Sequence, residues 1–525
     1  MRLTGDERGK EEDAFYAQVA FRTIRFDADE GFFCNGVSYK LKGVCLHEDA
    51  GCLGAAVPEE VWERRFRKLK NCGCNAIRMS HNPHAECLYS LCDRLGFFVM
   101  DELYDEWANP KNKWTRGHNV YPPSHQGITE DFWSCWQEDM RSFVFAHRNH
   151  ASIILWSIGN EIDYPNDPYC SPLFKEMTGN NDADKPAAER MYNPNHPDIS
   201  QLPRIAAMLS REVKKYDASR PVTMALAFPE LSEGTGVYNA LDVVGFNYKE
   251  ALYSKNHTRH PAKSFTGSEN SHSVAAWEAV KNNAFISGQF LWTGIDYLGE
   301  ARGWPVHASP AGLLDMAGFE KSGYYLRKSL WSQEAFVYME SSPAGKEQWS
   351  RSWNYAAGES TLVDVRVFST AAEVSLLLNG KPLASAKKNA EGCFLFPAIP
   401  YSEGKISAHA GAAKDELCPT KAAVAISCTL LKGRQMHQAE ISIVDGDGRL
   451  VWGEQSLVTA EVRGDGALAG LENGDVADIT EYASHSRHAR NGRLIAYLSP
   501  TASHGTMQLL LSAEGKSGCA IDIAY

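Results

Sequence analysis

The chain has 525 residues, too many for one hydrophobic core, and a prior of roughly 100 to 200 residues per domain indicates about three domains. It is 44% hydrophobic and 22% charged, and its net charge of −12 comes from interspersed acids and bases. This composition predicts a soluble globular protein without a nucleic-acid or anionic-membrane partner, so we expect a small-molecule or oligosaccharide substrate. Whether the protein forms a homo-oligomer stays open.

The termini and cysteines suggest a cellular compartment. No stretch approaches the roughly 18 to 20 apolar residues of a membrane span, and the charged amino terminus lacks the apolar segment of a signal peptide. The 13 cysteines are an odd number, which favours free thiols in a reducing cytoplasm over a disulfide framework. Cys72-Gly-Cys74 lacks a second pair at zinc-site spacing. We expect a cytoplasmic protein that requires no cofactor; no ligand cluster indicates a divalent or sodium ion, although one stays open.

A repeating unit of strand and helix follows a polar stub over residues 1–20 and a short hairpin pattern that begins at Phe21. Helix start and stop signals separate successive apolar strands. The predicted strands are 39–46, 75–79, 97–100, 152–161, 222–226, 243–246, 264–268 and 284–291. Eight strands that alternate with helices predict an α/β fold, a closed (β/α)8 barrel over residues 21–336.

The apolar period changes to two beyond about Phe336. The segments 361–368 and 372–378 alternate, and Asn379-Gly380 between apolar runs is typical of a hairpin turn. Similar alternation continues to the carboxyl terminus. We predict two β-sandwich domains of immunoglobulin-like type, over residues 337–420 and 421–525.

The stretch from Ser152 to Glu161 is apolar until it ends in Gly-Asn-Glu. A run that is apolar on both faces is typical of a strand buried in a parallel sheet, and α/β barrels carry their chemistry at the carboxyl ends of such strands. Asn160 and Glu161 are therefore candidate site residues. The segment 163–197, rich in Asn, Asp and Pro, is predicted to form a loop on the same face, and loops of that length are usually functional.

Polar and aromatic residues also follow the other predicted strands: His47, Arg78 and His81, Asp101 and Glu102, Asn247 and Tyr248, Glu269, and Trp292. Glu161 and Glu269 would project across one barrel mouth, and paired carboxylates in an aromatic-lined cleft suit glycosidic bond cleavage. Each residue alone has a structural explanation: Glu269 could start a helix, Arg78 could hold a carboxylate, and Trp292 could belong to the core. Their convergence on one face favours the functional interpretation.

Six motifs resemble glycoside hydrolase family 2, the β-galactosidase and β-glucuronidase family, in their order and spacing: 42–47, 75–83, 99–102, 156–161, 267–270 and 290–297. This resemblance implies a retaining mechanism with Glu161 as general acid/base and Glu269 as nucleophile. It also implies that Asn160 binds the 2-hydroxyl of the sugar. The remaining residues expected at the sugar subsite are His47, Arg78, His81, Asp101, Asn247, Tyr248 and Trp292.

Two features differ from the usual family pattern. Members normally begin with a jelly-roll domain and an immunoglobulin-like domain, whereas only a stub precedes Phe21, so we expect most of those domains to be absent. No Asn-X-Lys follows strand eight as in glucuronidases, and the segment 312–321 resembles the galactosidase-like branch. A basic contact from Lys175, Lys185 or Arg190 stays open.

Three functions are compatible with these patterns. The first hypothesis is a retaining exo-β-glycosidase, above all a β-galactosidase that cleaves terminal β-D-galactosides. Within the enzyme class, the alternative is a β-glucuronidase or another β-glycosidase. The third hypothesis is a non-catalytic carbohydrate-binding protein.

Overall fold

The computed structural model describes residues 20–111, 113–115, 118–120, 127–165, 167–172, 193–356 and 361–525. Lys175, Lys185 and Arg190 lie outside the described residues. A three-stranded antiparallel sheet comes first, formed by β1 (Ile24–Asp27), β2 (Gly31–Cys34) and β3 (Val37–Tyr39). Phe32 of this sheet packs with Leu41 and Phe290 in one buried cluster, so the sheet covers the amino-terminal end of the parallel barrel.

Eight parallel strands and their helices form the second part. The eight parallel strands are β4 (Leu41–Leu46), β5 (Ala76–Met79), β6 (Phe98–Glu102), β9 (Ile153–Asn160), β10 (Val222–Leu226), β11 (Val243–Asn247), β12 (Ser264–Glu269) and β13 (Gly288–Leu291). Two hairpins are inserted in this part, β7 (Lys113–Thr115) with β8 (His118–Val120) and β14 (Tyr297–Gly303) with β15 (Val306–Ser309). The helices are α1 (Glu59–Asn71), α2 (Glu86–Leu95), α3 (Phe132–His147), α4 (Gln201–Tyr216), α5 (Pro229–Thr235), α6 (Tyr253–Arg259), α7 (Val274–Lys281) and α8 (Ser322–Trp331).

The parallel sheet has the order β12-β11-β10-β9-β6-β5-β4-β13. Bridges from Phe265 to Ile286 and from Asn270 to Leu291 join its two ends, so the ring is nearly closed. The predicted (β/α)8 barrel is confirmed. All eight residues of β9 are buried, because one face of this strand lies in the barrel interior and the other lies against helices. The hairpins β7–β8 and β14–β15 are additions to the basic barrel.

Two pairs of antiparallel sheets complete the chain. The first pair comprises β16 (Val337–Pro343), β17 (Leu362–Ser369), β18 (Glu373–Leu378), β19 (Lys381–Lys387), β20 (Phe394–Pro400), β21 (Ile406–Ala410) and β22 (Ala413–Leu417). The second comprises β23 (Ala425–Leu431), β24 (His437–Val444), β25 (Leu457–Gly464), β26 (Gly466–Glu472), β27 (Ser486–His488), β28 (Arg493–Pro500), β29 (Thr506–Ser512) and β30 (Cys519–Ala524). Each pair encloses its own apolar core, as in a sandwich.

The predicted hairpin turn and free thiols are confirmed. Asn379 and Gly380 join β18 to β19 with φ of 51° and 76°, the left-handed conformations that a two-residue hairpin turn requires. All 13 cysteines are free, and Cys72 and Cys74 donate to backbone carbonyls. The proposed boundaries near 336 and 420 fall just before β16 and between β22 and β23. Among the described helices, none combines the length and apolar character that a bilayer crossing needs.

Candidate active site

Arg78 on β5 is the centre of a buried polar cluster at the carboxyl ends of the strands, the barrel mouth. Its Nη2 atom donates to both carboxylate oxygens of Glu102 at 2.9 Å and to Asn160 Oδ1 at 2.8 Å. Its Nη1 atom donates to Glu269 Oε2 at 2.7 Å. The planar guanidinium thus joins the ends of β5, β6, β9 and β12, which a single-point cation such as lysine would not do.

Glu161 and Glu269 face each other across Asn247, which ends β11. The Asn247 side-chain nitrogen lies 3.2 Å from Glu161 Oε1 and 3.3 Å from Glu269 Oε2. Those two oxygens are therefore at most about 6.5 Å apart, the two distances laid end to end. Ser268 Oγ donates to Asn247 Oδ1 at 2.7 Å and thereby turns the amide nitrogen toward the two acids. Carboxyl pairs about 5 to 5.5 Å apart are typical of retaining glycosidases.

The two acids have different surroundings. Burial, together with the negative charge of Glu269, raises the pKa of Glu161 to about 7. Tyr164 donates to Glu161 Oε2 at 2.8 Å. Glu269 instead faces the Arg78 cation, which balances its charge. One carboxyl can therefore hold a proton near neutral pH while its neighbour is paired with a cation, the division of labour between a general acid and a nucleophile.

Two site residues have left-handed backbone conformations that side chains rarely adopt. Glu161 has φ of 45° and Tyr248 has φ of 56°. Such conformations cost about 1 to 3 kcal/mol and cluster at functional sites. Burial, followed by the negative charges of Glu269 and Glu161, raises the pKa of Tyr248 well above its usual value, so its hydroxyl stays protonated and hydrogen-bonds to Glu269.

Four aromatic rings form a wall on the side of the mouth where β4, β5 and β13 end. His47 stacks on Tyr297 with ring centroids 4.1 Å apart, and His81 stacks on Trp292 at 5.2 Å. His81 Nδ1 also lies 2.6 Å from Glu102 Oε1. Burial, with His81 and His84 nearby, holds the pKa of His47 well below its usual value. Its buried Nε2 has no hydrogen-bond partner among the described residues.

The loop after β6 supplies a second cation. Lys111 Nζ donates to Asp105 Oδ1 at 2.7 Å and to the Asn160 carbonyl at 3.1 Å. Asp105 Oδ1 in turn accepts a hydrogen bond from Asn160 Nδ2 at 3.0 Å. With Arg78 on its Oδ1 atom, the Asn160 amide is held at both ends. The Lys111 ammonium also lowers the pKa of Glu161, against the larger effects of burial and Glu269.

Sequence profiles of known families match both the barrel and the last sandwich. Residues 27–275 match the profile described as "Glycosyl hydrolases family 2, TIM barrel domain", and residues 428–521 match "Glycoside hydrolase family 2 C-terminal domain 5". This chain belongs to glycoside hydrolase family 2. Within this family-2 chain, residues 360–417 match a domain of unknown function.

Individual relatives agree with the family assignment. A β-galactosidase from Bacteroides ovatus, BoGH2A, is 29% identical over 576 residues, which cover 98% of this family-2 chain and 64% of the relative. A β-glucuronidase from Bacteroides fragilis is 23% identical over 424 residues, or 76% of this chain and 55% of the relative. A solved family-2 structure from Bacteroides cellulosilyticus superposes with a TM-score of 0.83 at 27% identity, covering 100% of this chain and 67% of that one. The chain thus spans less than two thirds of the length of these curated relatives.

The structure of this family-2 barrel brings most of the predicted site residues around one mouth. These are His47, Arg78, His81, Asn160, Glu161, Asn247, Tyr248, Glu269 and Trp292. Their roles in binding and catalysis stay predictions. The sequence left two interpretations of Arg78 open, a structural partner of a carboxylate or a site residue. Arg78 fits both, because it pairs with the buried Glu102 and also with Glu269 at the mouth.

Asp101 is the correction. It pairs with Met79 and Trp156 on neighbouring strands, and those two side chains pack in the apolar layer between strands and helices. The Asp101 carboxylate accordingly accepts hydrogen bonds from Tyr89 Oη and His147 Nδ1, both at 2.8 Å. Because side chains alternate along a strand, the next residue, Glu102, points into the barrel instead. The predicted place of Asp101 in the sugar subsite is therefore wrong.

Sequence reasoning missed several residues of the site. Glu102 lies at a predicted strand end without a predicted role, although alternation along β6 distinguishes it from Asp101. Asp105, Lys111 and Tyr164 lie on loops, where no periodicity indicates the direction of a side chain. Tyr297 is the last residue of the family motif 290–297, but the motif does not predict its contact with His47.

Proposed function

We propose that this protein is a retaining exo-β-glycosidase that releases terminal β-D-galactosyl residues. The observation that carries the proposal is the carboxyl pair: Glu161 has a pKa raised to about 7, and Glu269 bonds to Arg78 at 2.7 Å. Both acids also share the Asn247 amide nitrogen, which keeps them close. Because the chain covers 64% of its β-galactosidase relative, activity and substrate are inferences for this protein.

The first displacement would use Glu269 as nucleophile and Glu161 as acid. The Glu269 carboxylate attacks the anomeric carbon, a carbon–oxygen bond to the enzyme forms, and the glycosidic bond breaks. The leaving oxygen takes the proton of Glu161. Hydrogen bonds from Asn247 and Tyr248 orient the Glu269 carboxylate for this attack.

The second displacement would reverse the roles. Once Glu269 is esterified, its negative charge is gone, and with it one of the two causes that raise the pKa of Glu161. Glu161 then becomes a stronger acid, holds its charge, and accepts a proton from the attacking water. The water oxygen bonds to the anomeric carbon, the enzyme ester breaks, and the sugar leaves with its original β configuration.

Two observations support galactose over a uronic acid. The β-galactosidase relative aligns with 98% of the chain. In addition, Lys321, which lies after the eighth barrel strand (β13) and just before α8, donates hydrogen bonds from Nζ to Asp296 at 2.9 Å and to the Pro310 carbonyl at 2.7 Å. That ammonium is used for structure and does not offer a cation to a sugar carboxylate.

A β-glucuronidase is the second candidate. It is favoured by the relative from Bacteroides fragilis and by Lys111, whose ammonium lies beside Asn160 at the mouth. If the carboxylate of a bound glucuronide displaced Asp105 from Lys111, the Lys111 ammonium would select for uronic acids. Because Asp105 already pairs with this ammonium, galactose is the first choice.

A panel of 4-nitrophenyl β-glycosides tests both candidates. We expect hydrolysis of the β-D-galactoside, with the β-anomer of free galactose appearing first in the proton NMR spectrum. Faster hydrolysis of the β-D-glucuronide would favour the second candidate, and initial release of the α-anomer would contradict a retaining mechanism. Calorimetric binding of galactose without turnover of any glycoside would support the carbohydrate-binding protein instead.

A further inference from the structure

The hairpin β14–β15 connects the wall of the site to an exposed tryptophan. Its first residue, Tyr297, stacks on His47 inside the mouth, with ring centroids 4.1 Å apart. Tyr297 pairs with Ser309, and Gly303 pairs with Val306, which leaves Trp304 in the turn. Trp304 is 75% exposed. Tryptophan is enriched at binding surfaces because it combines a large apolar face with a polar N–H group.

Two more rings continue the surface from Trp304. The ring of His307 lies 6.3 Å from that of Trp304, and the ring of Tyr482 lies 6.4 Å from that of His307. Tyr482 belongs to the segment between β26 and β27, so the row begins on the barrel and ends on the last sandwich. We call Trp304, His307 and Tyr482 the aromatic strip. It lies at the far end of the hairpin whose first residue, Tyr297, belongs to the wall of the active site.

Polar contacts hold two rings of the aromatic strip, His307 and Tyr482. The backbone nitrogen of His307 donates to the Val476 carbonyl at 3.0 Å, which ties the hairpin to the last sandwich. His307 Nδ1 lies 3.1 Å from the Pro305 carbonyl, and since a carbonyl only accepts, Nδ1 carries the hydrogen. His307 Nε2 then accepts from Tyr482 Oη at 3.2 Å. The His307 and Tyr482 rings are therefore held in place without a ligand, which lowers the entropic cost of binding.

We propose that the aromatic strip binds sugar units on the leaving-group side of an oligosaccharide substrate, an inference that rests on the proposed glycosidase function. Sugar rings present apolar faces that stack on aromatic rings and hydroxyls that bond to polar edges, and the strip offers both. Three residues of extended strand separate Ser309 from Val306, so the strip begins about 10 Å beyond Tyr297. That position suits units beyond the cleaved bond.

A second copy of the chain is the other conceivable occupant of the strip. A stable protein interface buries roughly 800 Å² on each partner, and three side chains fall well short of that area. A chain of sugars needs only a narrow track of this kind. Continuity with the mouth also favours substrate, since a bound oligosaccharide must leave the barrel in some direction.

The test compares a short with a long substrate in the full-length enzyme. The short substrate is 4-nitrophenyl β-D-galactoside, and the long ones are galactotetraoses with β-1,3, β-1,4 and β-1,6 linkages. We expect Trp304→Ala to lower the ratio of kcat/KM for the preferred tetraose to kcat/KM for the aryl galactoside about tenfold, chiefly through KM. Tyr482→Ala should lower the same ratio from the other domain. Phe145→Ala is the matched control, because Phe145 is 40% exposed and lies at the far end of the barrel in the last turn of α3.

Each outcome decides the inference. An unchanged ratio in both variants overturns it, as does a wild-type enzyme that cleaves the aryl galactoside but none of the tetraoses; the proposed function survives both results. A wild-type enzyme that cleaves neither substrate overturns the proposed function and the inference together. A smaller mass of the Trp304→Ala variant by light scattering, with an unchanged ratio, assigns the strip to contact with a second copy.

Discussion

Two buried polar networks, one on each face of strand β6, differ in whether they extend to the barrel mouth. On its inner face, Glu102 accepts from Arg78 at 2.9 Å and from Ser157 Oγ at 2.6 Å. On its outer face, Asp101 accepts from Tyr89 and His147, both at 2.8 Å. Both carboxylates are fully buried. The outer network continues from Tyr89 Oη to the backbone nitrogen of His84, whereas the inner one extends through Arg78 to Glu269 and Asn160 at the barrel mouth.

Under the proposed function, this difference separates residues that are expected to act on substrate from residues that support the barrel. Although burial opposes its ionised form, Arg78 and His81 hold the pKa of Glu102 below its usual range, so Glu102 serves as a fixed negative charge that orients Arg78. Arg78 then places its remaining donors on groups that would meet the sugar. We expect changes to the inner network to reduce turnover and changes to the outer network to reduce stability.

The largest effect is expected for Glu269→Gln. Without the nucleophile no glycosyl-enzyme forms, and kcat on the aryl galactoside should fall on the order of 10⁴- to 10⁶-fold. The variant should still fold, because an amide fills the same volume beside Arg78. Binding of galactose measured by calorimetry is the control. Turnover close to that of the wild type would show that Glu269 is not the nucleophile.

Glu161→Gln should have a smaller effect that depends on the leaving group. Loss of the acid should cost about 10²- to 10⁴-fold on an alkyl galactoside, whose leaving oxygen needs a proton. A 2,4-dinitrophenyl galactoside leaves without protonation, so its first displacement should proceed and a burst of dinitrophenol should precede slow hydrolysis of the intermediate. Equal losses on both substrates would assign Glu161 another role.

Arg78→Lys tests the centre of the inner network. One ammonium cannot contact Glu102, Asn160 and Glu269 together, so we expect kcat/KM to fall about 10²- to 10³-fold, as when one donor to a reacting group is lost. Arg64→Lys is the matched control: Arg64 is also buried and donates to Glu440 at 2.7 Å, but it lies between the barrel and the last sandwich. A loss of stability is expected in both variants, and a loss of turnover in Arg78→Lys alone.

The sequence predicted the frame of this site better than its details. Eight apolar runs with polar ends were enough to place Glu161 and Glu269 at one mouth, because parallel strands end on one face. The direction of Asp101 depended on its register against Met79 and Trp156, which no single strand reveals. Contacts between residues far apart in the sequence could not be predicted from local patterns. One example is Glu472 of β26, which accepts a hydrogen bond from the backbone nitrogen of Cys52, 420 positions earlier.

Lys111→Met should change the pH dependence more than the maximal rate. Lys111 lowers the pKa of Glu161, so its removal should raise that pKa further. The proposed mechanism needs protonated Glu161, so activity should fall as pH rises through its pKa of about 7. The alkaline limb of the kcat/KM profile should therefore move to higher pH. Lys346→Met, on the exposed surface of the first sandwich, is the control; a shift to lower pH in Lys111→Met would contradict the assignment.

The smallest effect on turnover is expected for Asp101→Asn, although Asp101 is the neighbour of Glu102. An amide can accept from Tyr89 but presents either a donor or a weaker acceptor to His147, so the variant should lose ~1 to 3 kcal/mol of unfolding free energy. Denaturant unfolding measures this loss, and Asp131→Asn, an exposed aspartate whose side chain does not cap α3, should show almost none. Because the Asp101 carboxylate bonds to Tyr89 and His147 and not to Arg78, kcat/KM should stay near the wild-type value. A fall in turnover with unchanged stability would mean that the two faces of β6 are coupled, and the separation between substrate-binding and supporting networks would then fail at the strand that defines it.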